Sequence, residues 1–294
     1  MIIKAKPFLK WAGGKTQLLS DIKKKFPYNE NDDFSYIEPF VGSGAVLFFV
    51  LNNFPHLKTV VINDINKDLI NSYKTIRSNV NELIFILEKY EKEYYSILEK
   101  SEDKKKYYYN KRDLFNKHHS NKIEQTALFI FLNRTCFNGL YRVNRKNEFN
   151  VPIGSYKKPM ICDEDNLLTV SKLLKKVHIL SGDFEKTIKY ANENSLFYFD
   201  PPYKPLSETA SFNSYSKNQF NDKEQIRLAN FCNTLDSLKC KWILSNSDVK
   251  GKNSNDDFFD KLYSKFNISR VWARRNINAN SKKRGKLTEL LIVN

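Results

Sequence analysis

Seven short apolar runs, separated by longer stretches with helical patterning, most constrain how this chain of 294 residues can fold. The runs are rich in β-branched and aromatic residues, which is typical of buried strands that alternate with helices. They occupy residues 35–40, 59–63, 177–181, 196–200, 241–245, 267–273 and 287–293. The pattern predicts an α/β fold with a mostly parallel, seven-stranded sheet.

More than a hundred residues separate the second run from the third. Apolar residues at helical spacing begin at Leu83, and a second helix is predicted over 123–133. An alternating stretch over 141–156, with a turn at 145–147, favours a hairpin. We therefore predict a mostly helical insertion over 74–165, set into a sheet domain formed by 1–73 and 166–294.

The charge of the chain points to a polyanionic partner. The formal net charge is +16, and residues 100–160 hold 14 Lys and Arg against 5 Asp and Glu. A basic surface favours nucleic acid, although a lysine-rich genomic bias explains the same composition. No apolar run is long enough to span a membrane, and the start of the chain lacks the apolar core of a signal peptide. Four cysteines without C-x-x-C spacing indicate reduced cytosolic thiols and no metal site.

A glycine-rich stretch near the start, Gly13-Gly14-Lys15-Thr16, resembles the end of a phosphate-binding loop. Such a loop needs a glycine five residues before Gly14, where this chain has Leu9. Nucleotide hydrolysis is therefore disfavoured, and the glycines are expected to serve another ligand.

A second glycine pair follows the first predicted strand. Gly42-Ser43-Gly44 leads into an apolar helical run, the geometry in which a nucleotide-like ligand lies at the end of a strand. Asp64 stands twenty residues past Gly44, at the end of the second strand, where a carboxylate can accept both hydrogen bonds of a ribose diol. Since Leu47 occupies the place of the third glycine of a dinucleotide fingerprint, S-adenosylmethionine fits better than a pyrophosphate cofactor.

The most specific stretch is LFYFDPPY, residues 196–203. A strand delivers Asp200 to its carboxyl end, and Pro201-Pro202 prevent a helix from starting there. The Asp200 carboxylate and the Pro201 carbonyl can accept both N–H bonds of an exocyclic amine and stabilise the positive charge that methylation develops. Tyr203 can stack on a base taken out of its duplex.

Together these motifs resemble the Dam-type, alpha-class (D12) adenine-N6 DNA methyltransferases, including the restriction–modification members that recognise GATC. The resemblance runs from FLKWAGGKTQLL through RTCFNGLYRVN and DPPY to SKKRGKLTELLIVN. It implies a Rossmann-like, S-adenosylmethionine-dependent methyltransferase sheet and a target-recognition insertion. A cytosine-N4 or RNA-directed enzyme and a catalytically silent DNA-binding relative remain alternatives.

The resemblance also implies the residues that bind the cofactor. Trp11 and Lys15 are expected at its methionine end, and Asp183 on its adenine amine with Phe184 beside it. The full set of expected cofactor residues is Trp11, Lys15, Phe40, Gly42, Gly44, Asp64, Asp183 and Phe184.

For DNA recognition, the resemblance implies Arg142 and Lys10 as readers of guanine edges. Phe137 would wedge into the stack where the adenine leaves, and Asn138 would hold the orphaned thymine. Leu140 and Pro152 would contact thymine methyls.

Other basic residues are expected to hold the duplex without reading it. Arg134 would anchor a phosphate or the recognition loop, and Lys283 and Arg284 lie in a basic segment expected to contact phosphates. The expected partners are double-stranded DNA and a cognate restriction endonuclease acting on the same site, in the bacterial cytosol and nucleoid.

Overall fold

A computed structural model describes residues 3–11, 13–99, 101–118, 121–204, 220–274 and 286–294. Lys283 and Arg284 lie outside these ranges, so their assignment stays a prediction. All seven predicted strands are present. They are β1 (Phe34–Glu38), β2 (Leu57–Ile62), β3 (Val177–Ile179), β4 (Ser195–Phe199), β5 (Lys241–Ser247), β6 (Asn267–Arg274) and β7 (Lys286–Val293).

The strands form one sheet in the order β3-β2-β1-β4-β5-β7-β6. β1 is parallel to β2 and to β4, and β4 is parallel to β5, whereas β7 runs antiparallel to both of its neighbours. Successive strands spread to one side of β1 and the chain then returns to β4 on its other side. In open α/β sheets, ligands bind outside the carboxyl ends of the strands at such a reversal. The topology therefore places a candidate site where β1 and β4 end.

Eight α-helices lie within the described residues. They are α1 (Leu19–Lys23), α2 (Ala45–Asn53), α3 (Lys67–Ser96), α4 (Glu102–Asn116), α5 (Lys122–Thr135), α6 (Glu164–Leu174), α7 (Asp222–Ser237) and α8 (Phe258–Leu262). The longest, α3, has a kink at Asn79. Side chains of Asn66, Ser101 and Asn121 cap the amino ends of α3, α4 and α5 by accepting backbone N–H bonds there. None of these helices combines the length and the apolar character that crossing a membrane requires.

The described chain divides into two compact units. The first comprises Met1–Gly14, Gly42–Asn52 and Asn66–Ser181, and the second comprises Lys15–Val41, Asn53–Ile65 and Gly182–Asn294. The predicted insertion over 74–165 falls inside the first unit, and its role as a separate recognition domain stays a prediction.

Each unit has its own apolar centre. In the first, α5 is buried on all sides, since every residue from Ala127 to Leu132 is at most 2% exposed. A helix that is apolar all round is stable only inside a core, which explains why this segment lies among the other insertion helices. In the second, all five residues of β1 and all five of β4 are buried. Buried parallel strands read as continuous apolar runs, which is why the sequence revealed them.

The predicted hairpin over 141–156 is present only in part. Two isolated bridges, Val143 with Phe149 and Cys136 with Ile153, replace a continuous ladder. The turn lies where the sequence predicted it, because the Asn144 side chain accepts the N–H groups of Lys146 and Glu148. Side-chain hydrogen bonds of this kind compete with strand pairing and end the ladder early.

A buried amide fixes the start of the chain in the first unit. Asn133 of α5 accepts from the Lys10 N–H at 2.8 Å and donates to the carbonyl oxygens of Lys10 and Gly139 at 2.8 and 3.1 Å. Asn133 is fully buried and so is its bond to Gly139, so the Gly139 carbonyl depends on it for a partner.

We expect Asn133→Ala to lower the free energy of unfolding by about 1–3 kcal/mol, because it leaves the buried Gly139 carbonyl unsatisfied and removes two bonds to Lys10. Urea unfolding measures the change. Thr169→Ala is the matched control: its exposed hydroxyl donates to the Asp165 carbonyl, and its loss should cost less than about 0.5 kcal/mol. Equal effects of the two substitutions would contradict the role of Asn133.

Candidate functional site

The predicted catalytic carboxylate lies directly after β4, in the second unit. Asp200 forms an ion pair with Lys15 at 2.9 Å between Nζ and Oδ1. The Lys15 side chain is only 3% exposed, and that of Asp200 is 23% exposed. The resemblance placed Lys15 at the methionine end of the cofactor, and that placement stays a prediction. In the structure its ammonium pairs with the carboxylate of the D-P-P-Y motif.

A hydroxyl supports the same carboxylate oxygen. Ser245 of β5 donates to Asp200 Oδ1 at 3.2 Å, and Tyr198 lies 3.0 Å from the Ser245 hydroxyl. Burial raises the pKa of Asp200 above its ordinary value, and the Lys15 ammonium and the Ser245 hydroxyl limit that rise. A carboxylate has about four acceptor positions, so Asp200 retains capacity for the N–H bonds of a ligand.

Three contacts hold the rest of the motif. The Tyr203 hydroxyl donates to Glu289 Oε2 of β7 at 2.6 Å. Gln225 of α7 donates to the Pro202 carbonyl at 3.1 Å. The Lys15 ammonium lies 4.7 Å from the centre of the Tyr203 ring. Neither Gln225 nor Glu289 was found by sequence reasoning, because each is remote along the chain from the motif it holds.

The glycine pair after β1 belongs to the first unit and has backbone angles that favour glycine. φ is +49° at Gly42 and +78° at Gly44. A Cβ at Gly44 would lie 2.6 Å from the hydroxyl of Tyr73, which itself donates to the Gly42 carbonyl at 3.0 Å. Glycine is therefore required in this turn both by its backbone angles and by its close packing, and its contact with a cofactor stays a prediction.

Trp11 packs against that turn. A Cβ at Gly42 would lie 3.2 Å from Cδ1 of the Trp11 indole. The other neighbours of the indole are Tyr141, stacked at 5.3 Å between ring centres, and Phe129, edge-on at 6.4 Å. The structure thus brings together two of the predicted cofactor segments, the one at Trp11 and the one at Gly42.

In the second unit, the loops after β1 and β2 are tied together by Asn63. Its side chain donates to the carbonyls of Pro39 and Gly182 at 3.0 and 2.9 Å. The backbone carbonyl of the adjacent Asp64 accepts the Gly182 N–H at 3.0 Å. Asn63 thereby fixes Asp64 beside the loop that carries the next predicted cofactor residue, Asp183.

Asp183 and Phe184 are both held by Arg227 of α7. The guanidinium binds the two oxygens of Asp183 at 3.0 and 2.6 Å and lies 4.2 Å from the centre of the Phe184 ring. Phe184 in turn lies 5.3 Å from Phe40 between ring centres. The hydrogen bonds from Arg227 keep the pKa of Asp183 below its ordinary value.

These residues of the second unit fit the adenosine part of S-adenosylmethionine. Asp183 can accept a further hydrogen bond from an amine, and half-buried Phe40, packed on buried Phe184, provides aromatic surface for a purine. The Asp64 carboxylate stands one residue beyond the Asn63 tie, at the end of β2, where the sequence predicted contacts to a ribose diol.

The predicted readers of DNA lie in the first unit. Arg142 is exposed, and its Nε and Nη2 atoms donate to the side chain and the carbonyl of Asn150 at 2.7 and 3.2 Å. An arginine has five N–H donors, so its outer edge keeps donors for a guanine. Asn150 is another residue that sequence reasoning missed, although it follows the predicted hairpin turn.

Lys10 is held along its whole length. Asn133 binds its backbone, a Cβ at Gly139 would lie 2.4 Å from its Cδ, and its Nζ lies 4.0 Å from the centre of the Tyr156 ring. Gly139 has a φ of +63°, so a side chain there would be strained as well as crowded.

The remaining recognition residues surround the same loop. Phe137 is 45% exposed, and its N–H donates to the Pro152 carbonyl at 2.9 Å. Asn138 is exposed with a φ of +55°, whereas Leu140 is half-buried. Arg134 donates to the Phe8 carbonyl at 2.8 Å, which favours the loop-anchoring alternative for this residue.

Comparison with known proteins identifies the class of this one. Residues 11–277 match the D12 class N6 adenine-specific DNA methyltransferase family. The chain therefore belongs to that family and is an adenine-specific DNA methyltransferase.

Three relatives match over almost their whole length. The chain is 52% identical to the Type II methyltransferase M.MjaIII of Methanocaldococcus jannaschii, across 99% of this chain and 100% of that protein. It is 37% identical to the DNA adenine methylase of Haemophilus influenzae, across 99% and 94%. It is 33% identical to the DNA adenine methylase of Escherichia coli K12, across 98% and 95%.

We expect Arg227→Gln to raise the pKa of Asp183 toward the ordinary aspartate value, because it removes the bonds that favour the carboxylate. A carboxyl group with a lowered pKa in the folded state stabilises the fold at pH values above its pKa in the unfolded state. This stabilisation is lost as the pH falls through the folded-state pKa, so the variant, which lacks it, should lose less stability on acidification. Carbon-13 NMR titration of the carboxyl group measures the pKa. Glu224→Gln removes another partner of Arg227 but spares the Asp183 pair, and it should leave the pKa low. An unchanged Asp183 pKa in Arg227→Gln would refute this reasoning.

Proposed function

We propose that the protein transfers a methyl group from S-adenosylmethionine to adenine N6 within GATC in duplex DNA, after the base has been flipped into the D-P-P-Y site. The observation that carries the proposal is Asp200 at the end of β4, held by Lys15 and Ser245 within its motif. Family membership supports the adenine and the DNA. The recognition sequence is proposed from Arg142 and Lys10, and the flipping step from Tyr203 and Phe137.

The chemistry requires acceptors for the two N–H bonds of the adenine amine. That nitrogen is a poor nucleophile because its lone pair is conjugated into the ring. The Asp200 carboxylate and the Pro201 carbonyl accept hydrogen bonds from the two N–H groups of the amine. They thereby favour a pyramidal nitrogen and stabilise the positive charge that develops on it. S-adenosylmethionine supplies the methyl group when it is bound. Lys15 and Ser245 hold Asp200 in its accepting orientation.

The extruded base needs a surface to replace its stacking partners. Tyr203 provides an aromatic ring next to Asp200, and its hydroxyl is tied to Glu289, which leaves the ring face for the base. Phe137 is exposed and fills the gap that the base leaves, while Asn138 binds the orphaned thymine.

Sequence is read in the major groove by donors and apolar groups of the first unit. Arg142 and Lys10 donate to the two guanines of the site, and Leu140 and Pro152 contact thymine methyls. Arg134 supports the loop through Phe8, and Lys283 and Arg284 contact phosphates. A DNA substrate implies action in the cytosol at the nucleoid, and a restriction endonuclease of the same specificity is the expected partner.

The direct test is to incubate unmethylated plasmid with the protein and S-adenosylmethionine and to map modified bases. We expect N6-methyladenine at GATC and none with Asp200→Ala, because loss of one acceptor commonly costs at least about 10²-fold in rate. Methylation at another sequence would refute the GATC assignment alone. Methylated cytosine or RNA would refute the proposal, and so would binding of DNA and cofactor without any transfer.

The rate of transfer should fall as pH decreases through the raised pKa of Asp200, because protonation removes the negative charge that makes Asp200 a strong acceptor and that stabilises the developing positive charge on the amine. Ser245→Ala removes a hydrogen bond that lowers this pKa, so it should move the acidic limb of the rate profile to higher pH. Single-turnover rates across a pH series measure the limb. Ser237→Ala, which removes an exposed hydroxyl of α7, should leave the limb unchanged. If the acidic limb stayed in place in Ser245→Ala, the pH dependence of the rate would not come from Asp200.

Arg142→Ala should lose about 1–3 kcal/mol of discrimination at one guanine, since it removes a base-edge contact. Lys283→Ala should weaken binding to all duplexes alike and lower the salt dependence by about one ion. Titration of cognate and singly substituted duplexes at several salt concentrations separates the two effects. If Arg142→Ala weakened every duplex equally, the reader of that guanine would have to be sought elsewhere.

A further inference from the structure

The Tyr203 ring is restrained by two groups of the second unit that act on different motions. The bond from its hydroxyl to Glu289 Oε2, 2.6 Å long, fixes the far end of the ring axis. The Lys15 ammonium, 4.7 Å from the ring centre, restrains rotation about that axis. A tyrosine side chain has only these two motions, so together the contacts determine both the position of the ring and its plane.

Glu289 stands where the sheet does not require a carboxylate. It belongs to β7, between β5 and β6, and the following residues Leu290, Leu291 and Ile292 are all buried. Its charge also raises the pKa of nearby Asp200, which shows that the two carboxylates repel one another. The repulsion between two neighbouring carboxylates lowers the stability of the fold unless a specific contact to one of them offsets it. Within the described part of the chain, the phenol of Tyr203 makes this contact with Glu289.

The phenol can serve only as the donor in that contact. Burial and the adjacent Asp200 and Glu289 carboxylates raise the pKa of Tyr203 well above its ordinary value, so its proton is retained. Hydrogen bonds to a charged acceptor are shorter and stronger than neutral ones. The neighbouring backbone is fixed independently, because Gln225 binds the Pro202 carbonyl and Ser247 binds the Lys204 carbonyl at 2.9 Å. Only the side chain of Tyr203 is left for Glu289 to orient.

We propose that Glu289 is a positioning residue that orients the Tyr203 ring and thereby sets where the extruded adenine stacks beside Asp200. This inference rests on the proposed base-flipping function and adds a residue to it. Glu289 does not touch the base. It acts on the base through Tyr203, so its effect on DNA binding must appear only when a base is present to be stacked.

Two duplexes test whether the effect of Glu289 depends on the target base. One has adenine at the target position, and the other has an abasic site there. We expect Glu289→Ala to weaken binding of the adenine duplex at least about threefold and to slow single-turnover methylation about tenfold or more, from the loss of one hydrogen bond to a charged group. Binding of the abasic duplex, measured by fluorescence anisotropy, should be unchanged. Affinity for S-adenosylhomocysteine, measured by calorimetry, should also be unchanged.

Further variants separate positioning from folding. Glu289→Gln retains an acceptor oxygen and should recover most of the adenine-specific loss. Tyr203→Phe should show the same kind of defect, and adding Glu289→Ala to it should produce no further loss, because both act through one hydrogen bond. Thr288→Val is the matched control on the same strand: it breaks the bond from Thr288 to Asp248 and should leave both duplexes and the rate unaffected.

The outcomes distinguish this inference from the proposed function. Equal weakening of both duplexes by Glu289→Ala, or no change in either, overturns the positioning role of Glu289. So does an additive loss in the double variant. If the wild-type protein itself fails to methylate adenine or to bind the two duplexes differently, the base-flipping function fails instead.

Discussion

The ion pair between Lys15 and Asp200 is the interaction on which the catalytic region depends. A lysine that is almost fully buried is stable only with a charged partner, and removing one member of such a pair commonly costs about 3–5 kcal/mol. Because Lys15 begins the short 3-10 turn that precedes α1, the pair also attaches this early segment of the chain to the end of β4. The same ammonium lies over the Tyr203 ring. One cation therefore orders both the acid and the aromatic residue of the motif.

Much of this arrangement was accessible from sequence, for identifiable reasons. Buried strands leave continuous apolar runs, so all seven strands were found. Asp200 was assignable because a strand followed by two prolines leaves a side chain at the edge of a sheet. Gly42 and Gly44 were recognisable because their backbone angles favour glycine.

The partners of these residues were not accessible, since their contacts join distant parts of the chain. Tyr203 and Glu289 are separated by 86 positions, and Asp183 and Arg227 by 44. No local pattern distinguishes such a glutamate or arginine from a solvated one. The pair between Lys15 and Asp200 was not found for a related reason: sequence shows that an ammonium is present but not which carboxylates it meets. The hairpin was overestimated because alternation does not reveal that Asn144 diverts the backbone N–H groups of the turn.

The close packing of Gly139 against Lys10 has a consequence for how these two positions can change. Any side chain at position 139 would meet the Lys10 stem and adopt a strained backbone angle. The two positions are therefore not independent variables. A lineage or a designer that replaces the lysine with a shorter residue gains room at the glycine, whereas the reverse order of substitutions passes through a crowded intermediate. Substitution at this contact is thus directional, with position 10 free to vary before position 139.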